Sequence, residues 1–307
     1  MAVFLLLLVA QALAEPLPSW NPGPARTSIL NFVDQVESDK IPLEERVAAF
    51  DNDGTLWCEL PVNPQFLFSL ELLRRRVATH PEWRTTQPFR AGPEGDEATL
   101  AAVGTPGRVK LGLGAAAGLT TQEYHQAVVD FLTTAKHPRF QRPYTECVYQ
   151  PMLELMAFLR EHGFTIYLVS GASQDFMRPW SQEVYAIPPE RVLGTTSVLK
   201  YDANGPKLIL QPETDFHDER ENKPVAIHRA AGRRPLACFG NSDGDLQMLQ
   251  WATRFALLVH HTDADREYSY DRASTFGRLD KALEEARARG WTVVDMKTDW
   301  KTVLPRQ

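Results

Sequence analysis

The stretch DNDGT at residues 51–55 directly follows the apolar run VAAF at residues 47–50. The run predicts a buried strand, and the carboxylates of Asp51 and Asp53 stand where that strand ends. Ligands of open parallel α/β sheets bind beyond the carboxyl ends of the strands. Two acids placed there are costly unless they hold a cation or take part in chemistry. Because calcium-binding loops and plain Asp-Gly turns show a similar pattern, the interpretation depends on other segments.

A second apolar run, at residues 164–169, ends in Ser170 and Gly171. A helix is predicted to follow it from about Gln174. A strand-to-helix turn of small residues presents backbone N–H groups to a phosphate, and the hydroxyl of Ser170 can donate one more hydrogen bond. The same pattern also fits an ordinary serine that caps the helix.

Lys223 lies directly before Pro224, a residue that is typical of the first turn of a helix. A cation gains nothing from the helix dipole at that end of a helix. The position of Lys223 is explained if a phosphate and carboxylates lie nearby, whereas a solvated surface lysine is the simpler alternative.

A third apolar run, at residues 236–239, ends in the acidic, glycine-rich sequence GNSDGD at residues 240–245. Asp243, Asp245 and the amide oxygen of Asn241 are hard oxygen donors. Mg²⁺ binds such donors, keeps some of its waters and is shared with a substrate phosphate. This segment therefore predicts a magnesium-binding loop.

Taken in this order, the four segments resemble the motifs of the haloacid dehalogenase (HAD) superfamily of phosphohydrolases. The helical pattern after the first motif resembles the cap of the phosphoserine phosphatase-like branch. The resemblance implies an α/β fold, with a Rossmann-like three-layer core around a parallel sheet and an inserted helical cap domain. It divides the chain into a core domain of residues 15–56 plus 146–307 and a cap domain of residues 57–145.

The resemblance also implies a role for each matching residue. Asp51 would be the nucleophile that forms an aspartyl-phosphate, and Asp53 would be the general acid and base. Ser170, Gly171 and Lys223 would bind the phosphate. Because Asp53 must carry a proton in the first step, we expect a mildly acidic pH optimum.

Mg²⁺ is the cofactor that the resemblance implies, and a small phosphorylated molecule is the substrate. The metal ligands would be Asp51, the backbone carbonyl of Asp53 and Asn241, with Asp245 bracing the site. Many members of the superfamily carry Asp where this chain has Asn241, and an amide brings no charge. Either Asn241 ligates weakly, or Asp243 or Asp245 supplies the missing charge.

Two other functions stay open at this point. A non-catalytic phosphate- or ligand-binding protein of the same fold would fit the change at Asn241. A hydrolase with a non-phosphate leaving group is the other alternative. The carboxylate of Asp53 and the acidic last loop favour phosphate esters over carbon–halogen bonds.

Five residues near the two junctions of the cap are candidates to contact the leaving group. Trp57 and Glu59 follow the nucleophile loop, whereas Arg139, Arg142 and Tyr144 lie where the cap returns to the core. Ordinary packing explains each of them at least as well.

The start of the chain has the pattern of a secretory signal peptide over residues 1–14. An apolar core at residues 3–9 precedes the small-residue cleavage site ALA at residues 12–14, although no basic residue stands near the start. We therefore expect a periplasmic or secreted protein. No later apolar run is long enough to span a bilayer, so we expect no stable membrane anchor.

Composition and charge limit the kinds of molecule that the protein is expected to bind. The 307 residues include 43% hydrophobic residues and carry a formal net charge of -6. No basic patch with interleaved aromatic residues occurs, so we expect no binding to nucleic acid.

Three cysteines cannot build a disulfide framework, although a bridge between Cys58 and Cys147 is conceivable. His260 and His261 lack suitably spaced partners for a metal site. The sequence leaves the oligomeric state open.

Overall fold

A computed structural model of the protein describes residues 15–91 and 104–306. The predicted signal peptide of residues 1–14 lies outside the described residues. A seven-stranded sheet forms the centre of the fold, in the order β4-β3-β2-β1-β5-β6-β7, and every neighbouring pair is parallel except β3 and β4. The strands are β1 (Val47–Phe50), β2 (Thr165–Ser173), β3 (Val192–Asp202), β4 (Lys207–Phe216), β5 (Ala237–Gly240), β6 (Phe255–His260) and β7 (Thr292–Asp295).

Helices cover the sheet and connect its parallel strands. The helices of the described chain are α1 (Pro24–Ser38), α2 (Pro64–Arg76), α3 (Gly104–Ala116), α4 (Thr121–Thr134), α5 (Gln150–Glu161), α6 (Gln174–Tyr185), α7 (Asn222–Ala231), α8 (Leu246–Trp251), α9 (Lys281–Arg289) and α10 (Met296–Asp299). Within the described residues, no helix is both long and apolar enough to cross a membrane.

The central strand β1 is apolar throughout because both of its faces are covered. Ala48 and Phe50 belong to one buried hydrophobic cluster, whereas Ala49 belongs to a second one on the other face. The ring of Phe50 stacks on that of Phe239 in β5, with 4.1 Å between their centroids. Such burial on both faces is typical of a parallel sheet between two helical layers. The predicted three-layer α/β core is confirmed.

The segment between the first two motifs packs directly on the rest of the molecule. Phe68 of α2 contacts Tyr124 and Phe131 of α4 and Phe176 of α6, with centroid distances of 5.4 to 5.5 Å. One apolar cluster therefore runs from this segment into the sheet region. Its treatment as a separate cap domain of residues 57–145 stays a prediction.

Local sequence signals mark the ends of two helices. Thr120 and Glu123 form a capping box at the start of α4. Gly290 takes a left-handed conformation and ends α9. In the Gly- and Ala-rich stretch of residues 92–118, Gly104–Ala116 form the 13-residue helix α3. Residues 92–103 lie outside the described residues.

The conceivable disulfide is not formed in this structure. Cys58 and Cys147 are both buried and free, as is Cys238 in β5. The backbone N–H of Cys58 donates to the carbonyl oxygen of Cys147 at 3.0 Å, so the two segments are neighbours. The thiol of Cys147 instead donates to the carbonyl oxygen of Pro143.

Candidate active site

Three loops meet at the carboxyl edge of the sheet because β1 lies between β2 and β5. Phe50 is in register with Leu168 of β2 and with Phe239 of β5. Asp51 follows β1 directly, and its backbone N–H donates to the carbonyl oxygen of Phe239 at 2.9 Å. This strand order therefore brings the predicted nucleophile, the serine turn of Ser170 and the metal loop to one place.

Lys223 joins the first and last motifs through a buried network. Its Nζ donates to Asp51 Oδ1 and to Asp245 Oδ1 at 2.6 Å each, and to the carbonyl oxygen of Val169 at 3.2 Å. Two carboxylates thus share one ammonium group, which leaves a net negative charge when both are ionised. All three charged side chains are buried. This charge balance suits an additional cation.

Burial and neighbouring charges act against one another in this network. Burial alone would lower the pKa of Lys223, but the surrounding carboxylates, Asp245 first, outweigh it and raise that pKa. Burial and the charge of Asp245 raise the pKa of Asp51, although Lys223 opposes the shift. A bound cation would lower the pKa of Asp51 again and keep it ionised.

The second carboxylate oxygen of Asp51 faces the metal loop. The hydroxyl of Thr55 lies 3.0 Å from Asp51 Oδ2 and 3.2 Å from Asn241 Oδ1. Two hard oxygen donors therefore lie within reach of one hydroxyl group, an arrangement that fits Mg²⁺. The described residues contain no group of three or more His, Cys, Asp or Glu arranged for a metal. The donor set that the sequence predicts is a mixed one, with the carboxylate of Asp51, the amide oxygen of Asn241 and the backbone carbonyl of Asp53, and it stays a prediction.

Asp245 and Asp243 have different tasks within the metal loop. Asp245 Oδ2 accepts from the backbone N–H groups of Asn241 and Ser242 at 3.0 and 3.1 Å, which holds the loop in shape. Asp243 Oδ1 instead accepts from the backbone N–H groups of Asp280 and Ala282 at the start of α9. None of its described hydrogen bonds goes to another predicted site residue. These contacts give no support to Asp243 as a metal ligand, and that role stays a prediction.

Glu59 lies behind the metal loop. Its Oε1 accepts from Asn241 Nδ2 at 2.9 Å and from the hydroxyl of Tyr270 at 2.7 Å. The side chain is buried, with 4% of the residue exposed, and burial raises its pKa well above the usual range. A contact of Glu59 with the leaving group stays a prediction, and its described hydrogen bonds come from the metal loop and from Tyr270.

Asp53 is oriented by Trp57, the other candidate that follows the nucleophile loop. The indole Nε1 of Trp57 donates to Asp53 Oδ1 at 2.6 Å. Trp57 itself is buried and stacks on Trp180, with 4.6 Å between the ring centroids. Burial raises the pKa of Asp53, while the hydrogen bond from Trp57 lowers it. A raised pKa suits a carboxyl group that must donate a proton.

The serine turn is held by its own side chain. Ser170 Oγ accepts from the backbone N–H of Ala172 at 3.1 Å, and Ser170 is buried. The N-cap of α6 is Ser173, so Ser170 is not the helix-capping serine of the alternative interpretation. A Cβ at Gly171 would overlap the carboxylate of Glu219, so a larger residue there would displace the end of that side chain.

The candidates at the return of the insertion contact the C-terminal part of the chain. Arg142 Nη1 donates to the carbonyl oxygen of Pro305 at 3.0 Å. Arg139 donates to the carbonyl oxygens of Ala264 and Asp265, and Tyr144 is buried. These contacts give the three residues a structural role, and a substrate contact by Arg142 stays a prediction without support from them.

His261 shapes the site through contacts that no sequence pattern predicts. His261 Nε2 donates to the carbonyl oxygen of Gly54 at 2.7 Å, and its ring stacks on Tyr270 at 4.2 Å. His261 Nδ1 lies 3.2 Å from Glu267. The only hint in the sequence is the pair His260-His261 after an apolar run. The fold determines which residues contact His261, so no spacing rule identifies them.

Comparisons with known proteins agree with this architecture. A family model described as haloacid dehalogenase-like hydrolase matches residues 48–250, which is more than half of the chain. A search of curated proteins found no significant match.

Two solved structures with TM-scores above 0.5 show the same fold at low sequence identity. A protein of unknown function from Bordetella pertussis Tohama I is 17% identical, with a TM-score of 0.56 over 82% of this chain and 99% of that one. A functionally unknown protein from Anaerococcus prevotii DSM 20548 is 15% identical, with a TM-score of 0.56 over 88% of this chain and 91% of that one. A phosphoserine phosphohydrolase-like protein from Francisella tularensis is also similar, with 16% identity and a TM-score of 0.41 over 80% and 99% of the two chains.

The matched family region contains Asp51, Ser170, Lys223 and the metal loop of residues 240–245. The structure gathers Asp51, Lys223 and the metal loop into one buried network at the edge of a parallel sheet, directly beside the turn of Ser170. The chain therefore belongs to the haloacid dehalogenase-like hydrolase family.

Proposed function

We propose that the protein is a magnesium-dependent phosphomonoesterase that acts on a small phosphate ester through an aspartyl-phosphate on Asp51. One observation carries this proposal. Lys223 bridges Asp51 and Asp245, while the other oxygen of Asp51 shares the hydroxyl of Thr55 with the amide oxygen of Asn241. The nucleophile thus has a fixed cation on one side and oxygen donors for a metal on the other.

In the first step, a carboxylate oxygen of Asp51 attacks the phosphorus atom, and the bond between phosphorus and the alcohol oxygen breaks. Asp53 transfers its proton to that alcohol oxygen as it leaves. Lys223 lies beside the nucleophile and stabilises the charge of the phosphoryl oxygens. Bound Mg²⁺, held by Asp51, the Asp53 carbonyl and Asn241, would offset the repulsion between the phosphate dianion and the nucleophile.

In the second step, the ionised Asp53 accepts a proton from a water molecule, whose oxygen attacks the phosphorus atom of the aspartyl-phosphate. The acyl phosphate bond breaks, inorganic phosphate leaves, and Asp51 regains its carboxylate. Trp57 holds Asp53 through the indole hydrogen bond, so the same carboxyl group is positioned for both proton transfers.

The purified protein tests this proposal with para-nitrophenyl phosphate, with and without Mg²⁺. We expect turnover that needs the metal and that Asp51→Asn lowers by more than about 1,000-fold, because the substituted amide cannot act as the nucleophile. Asp34→Asn on the exposed face of α1 is the matched control and should keep full activity. Phosphate binding without turnover would favour a non-catalytic protein, and turnover of only non-phosphate esters would favour another hydrolase.

We also propose that the protein is exported to the periplasm or beyond the cell. The apolar core at residues 3–9 and the cleavage site at residues 12–14 support this proposal. Cell fractionation followed by mass spectrometry should find a mature chain that begins at Glu15. A full-length chain confined to the cytoplasmic fraction would contradict it.

A further inference from the structure

The carboxylate of Glu59 is held from four directions. Asn241 Nδ2 and the hydroxyl of Tyr270 both donate to its Oε1. A Cβ at Gly54 or at Gly277 would overlap the same oxygen. The nucleophile loop, the metal loop and the segment of Tyr270 to Gly277 therefore all close around one buried acceptor atom.

This acceptor decides which way the amide of Asn241 points. An amide has an oxygen that accepts and an NH₂ group that donates. The Oε1 atom of Glu59 acts as an acceptor, since the hydroxyl of Tyr270 also donates to it. The NH₂ group must therefore face Glu59, which directs Oδ1 towards Thr55 and the nucleophile. The reversed amide would set its oxygen against the carboxylate and leave a buried acceptor pair without a proton.

The same contact places the carboxyl group of Glu59 one hydrogen bond behind a proposed metal ligand. Outer partners of this kind orient the ligand that they bind and are needed for full metal affinity. Glu59 is therefore placed to fix the direction of the Asn241 oxygen.

We propose that Glu59 is the positioning residue of the metal site: it holds the amide of Asn241 so that its oxygen faces the Mg²⁺ site. This inference rests on the proposed magnesium-dependent function. It assigns to Glu59 no contact with the substrate, and it makes Tyr270 a support of Glu59 from the opposite side.

Mg²⁺ binding to the metal-free full-length protein, measured by calorimetry without substrate, tests the inference. We expect Glu59→Ala to weaken Mg²⁺ binding by about 10- to 100-fold, as is usual when the outer partner of a metal ligand is lost. Glu59→Gln keeps an acceptor for Asn241, so its effect should be smaller. Glu44→Gln, an exposed glutamate before β1, is the control and should bind Mg²⁺ like the wild type.

An exchange of the two partners gives a second, independent test. Asn241→Asp alone sets two carboxylates within hydrogen-bonding distance, so it should lower the melting temperature of the metal-free protein. Glu59→Gln in the same chain supplies an amide N–H that donates to the substituted carboxylate. The double variant should therefore recover both the melting temperature and the Mg²⁺ affinity.

The outcomes separate this inference from the proposed function. If the wild type binds Mg²⁺ and needs it for turnover, but Glu59→Ala binds Mg²⁺ equally well, Glu59 only fills space and the inference is wrong. A double variant no better than the sum of its single changes would overturn it as well. If the wild type neither binds Mg²⁺ nor hydrolyses phosphate esters, the proposed function fails and the inference falls with it.

Discussion

The two oxygens of Asp51 face surroundings of opposite character. Oδ1 belongs to the charged side, where Nζ of Lys223 donates to both Asp51 and Asp245. Oδ2 belongs to the neutral side, where the hydroxyl of Thr55 lies between it and the amide oxygen of Asn241. One cation beside the proposed nucleophile is therefore built into the protein, whereas the other side would offer neutral oxygen donors to a metal ion from solution.

Lys223→Met removes the only ammonium of the charged side and should have the largest effect. It leaves Asp51 and Asp245 buried without their shared partner, and breaking a buried ion pair in this way costs about 3–5 kcal/mol. We expect a matching loss in the free energy of unfolding, measured by urea denaturation, together with loss of phosphatase activity. Lys200→Met on the exposed part of β3 should change neither quantity.

Two results for Lys223→Met would contradict a structural role that is specific to its ammonium group. If Lys223→Met were as stable as the wild type, the two carboxylates would not depend on the ammonium group, and the charged side would have no structural role. If the variant were unstable but regained its stability in Mg²⁺, a metal ion would be able to replace the ammonium group between the two carboxylates.

The charged side extends to Asp218, a completely buried carboxyl group. Neither of its carboxylate oxygens has a hydrogen-bond partner among the described residues. Burial raises the pKa of Asp218 to about 7, although Lys223 lowers it. Because the folded protein holds this proton more tightly than the unfolded chain, the group favours folding below about pH 4 and costs stability as the pH rises towards 7.

Asp218→Asn should remove this dependence, since an amide of the same shape does not ionise. We expect the variant to exceed the wild type in unfolding free energy by about 2–4 kcal/mol at pH 8 and by much less at pH 4.5. Urea denaturation of both proteins at the two pH values measures the difference. An equal difference at both pH values would show that Asp218 does not titrate between them.

The charged side could be predicted from the sequence, and the neutral side only in part. Asp51, Lys223 and Asp245 each lie close to the end of an apolar run or the start of a helix, so local patterns find them and the sheet brings them together. The support of Asn241 comes instead from Glu59 and from Tyr270, which lie far apart in the chain. No periodicity connects such positions, because their contact exists only after the fold has formed.

The same reason applies to the leaving-group side. Trp57 and Arg142 are predicted as substrate contacts because they lie near the junctions of the insertion, and these two roles stay predictions. In the structure, the indole N–H of Trp57 donates a hydrogen bond to Asp53, and Arg142 donates one to the carbonyl oxygen of Pro305 near the C-terminus. Sequence position places a residue near a site, but only the packing of distant segments decides where its polar atoms point.

Trp57→Phe should have the smallest effect, and it concerns the acid that lies apart from both sides of Asp51. Burial raises the pKa of Asp53, and the indole hydrogen bond partly offsets that rise. Phenylalanine keeps an aromatic ring against Trp180 but loses the donor, so the pKa of Asp53 should rise further. The alkaline limb of kcat against pH should then move upward by about one pH unit or less, since one hydrogen bond contributes about 1 kcal/mol.

The direction of this shift separates two roles of Trp57. If the indole only packs against Trp180, the pH profile of kcat for the Phe variant should have the same shape and position as that of the wild type. Any loss of kcat should then be equal at every pH. A downward shift would mean that the indole hydrogen bond favours the protonated carboxyl group and not the carboxylate. Trp83→Phe is the matched control, because Trp83 is a buried tryptophan of the insertion that stacks on His80 and not near Asp53.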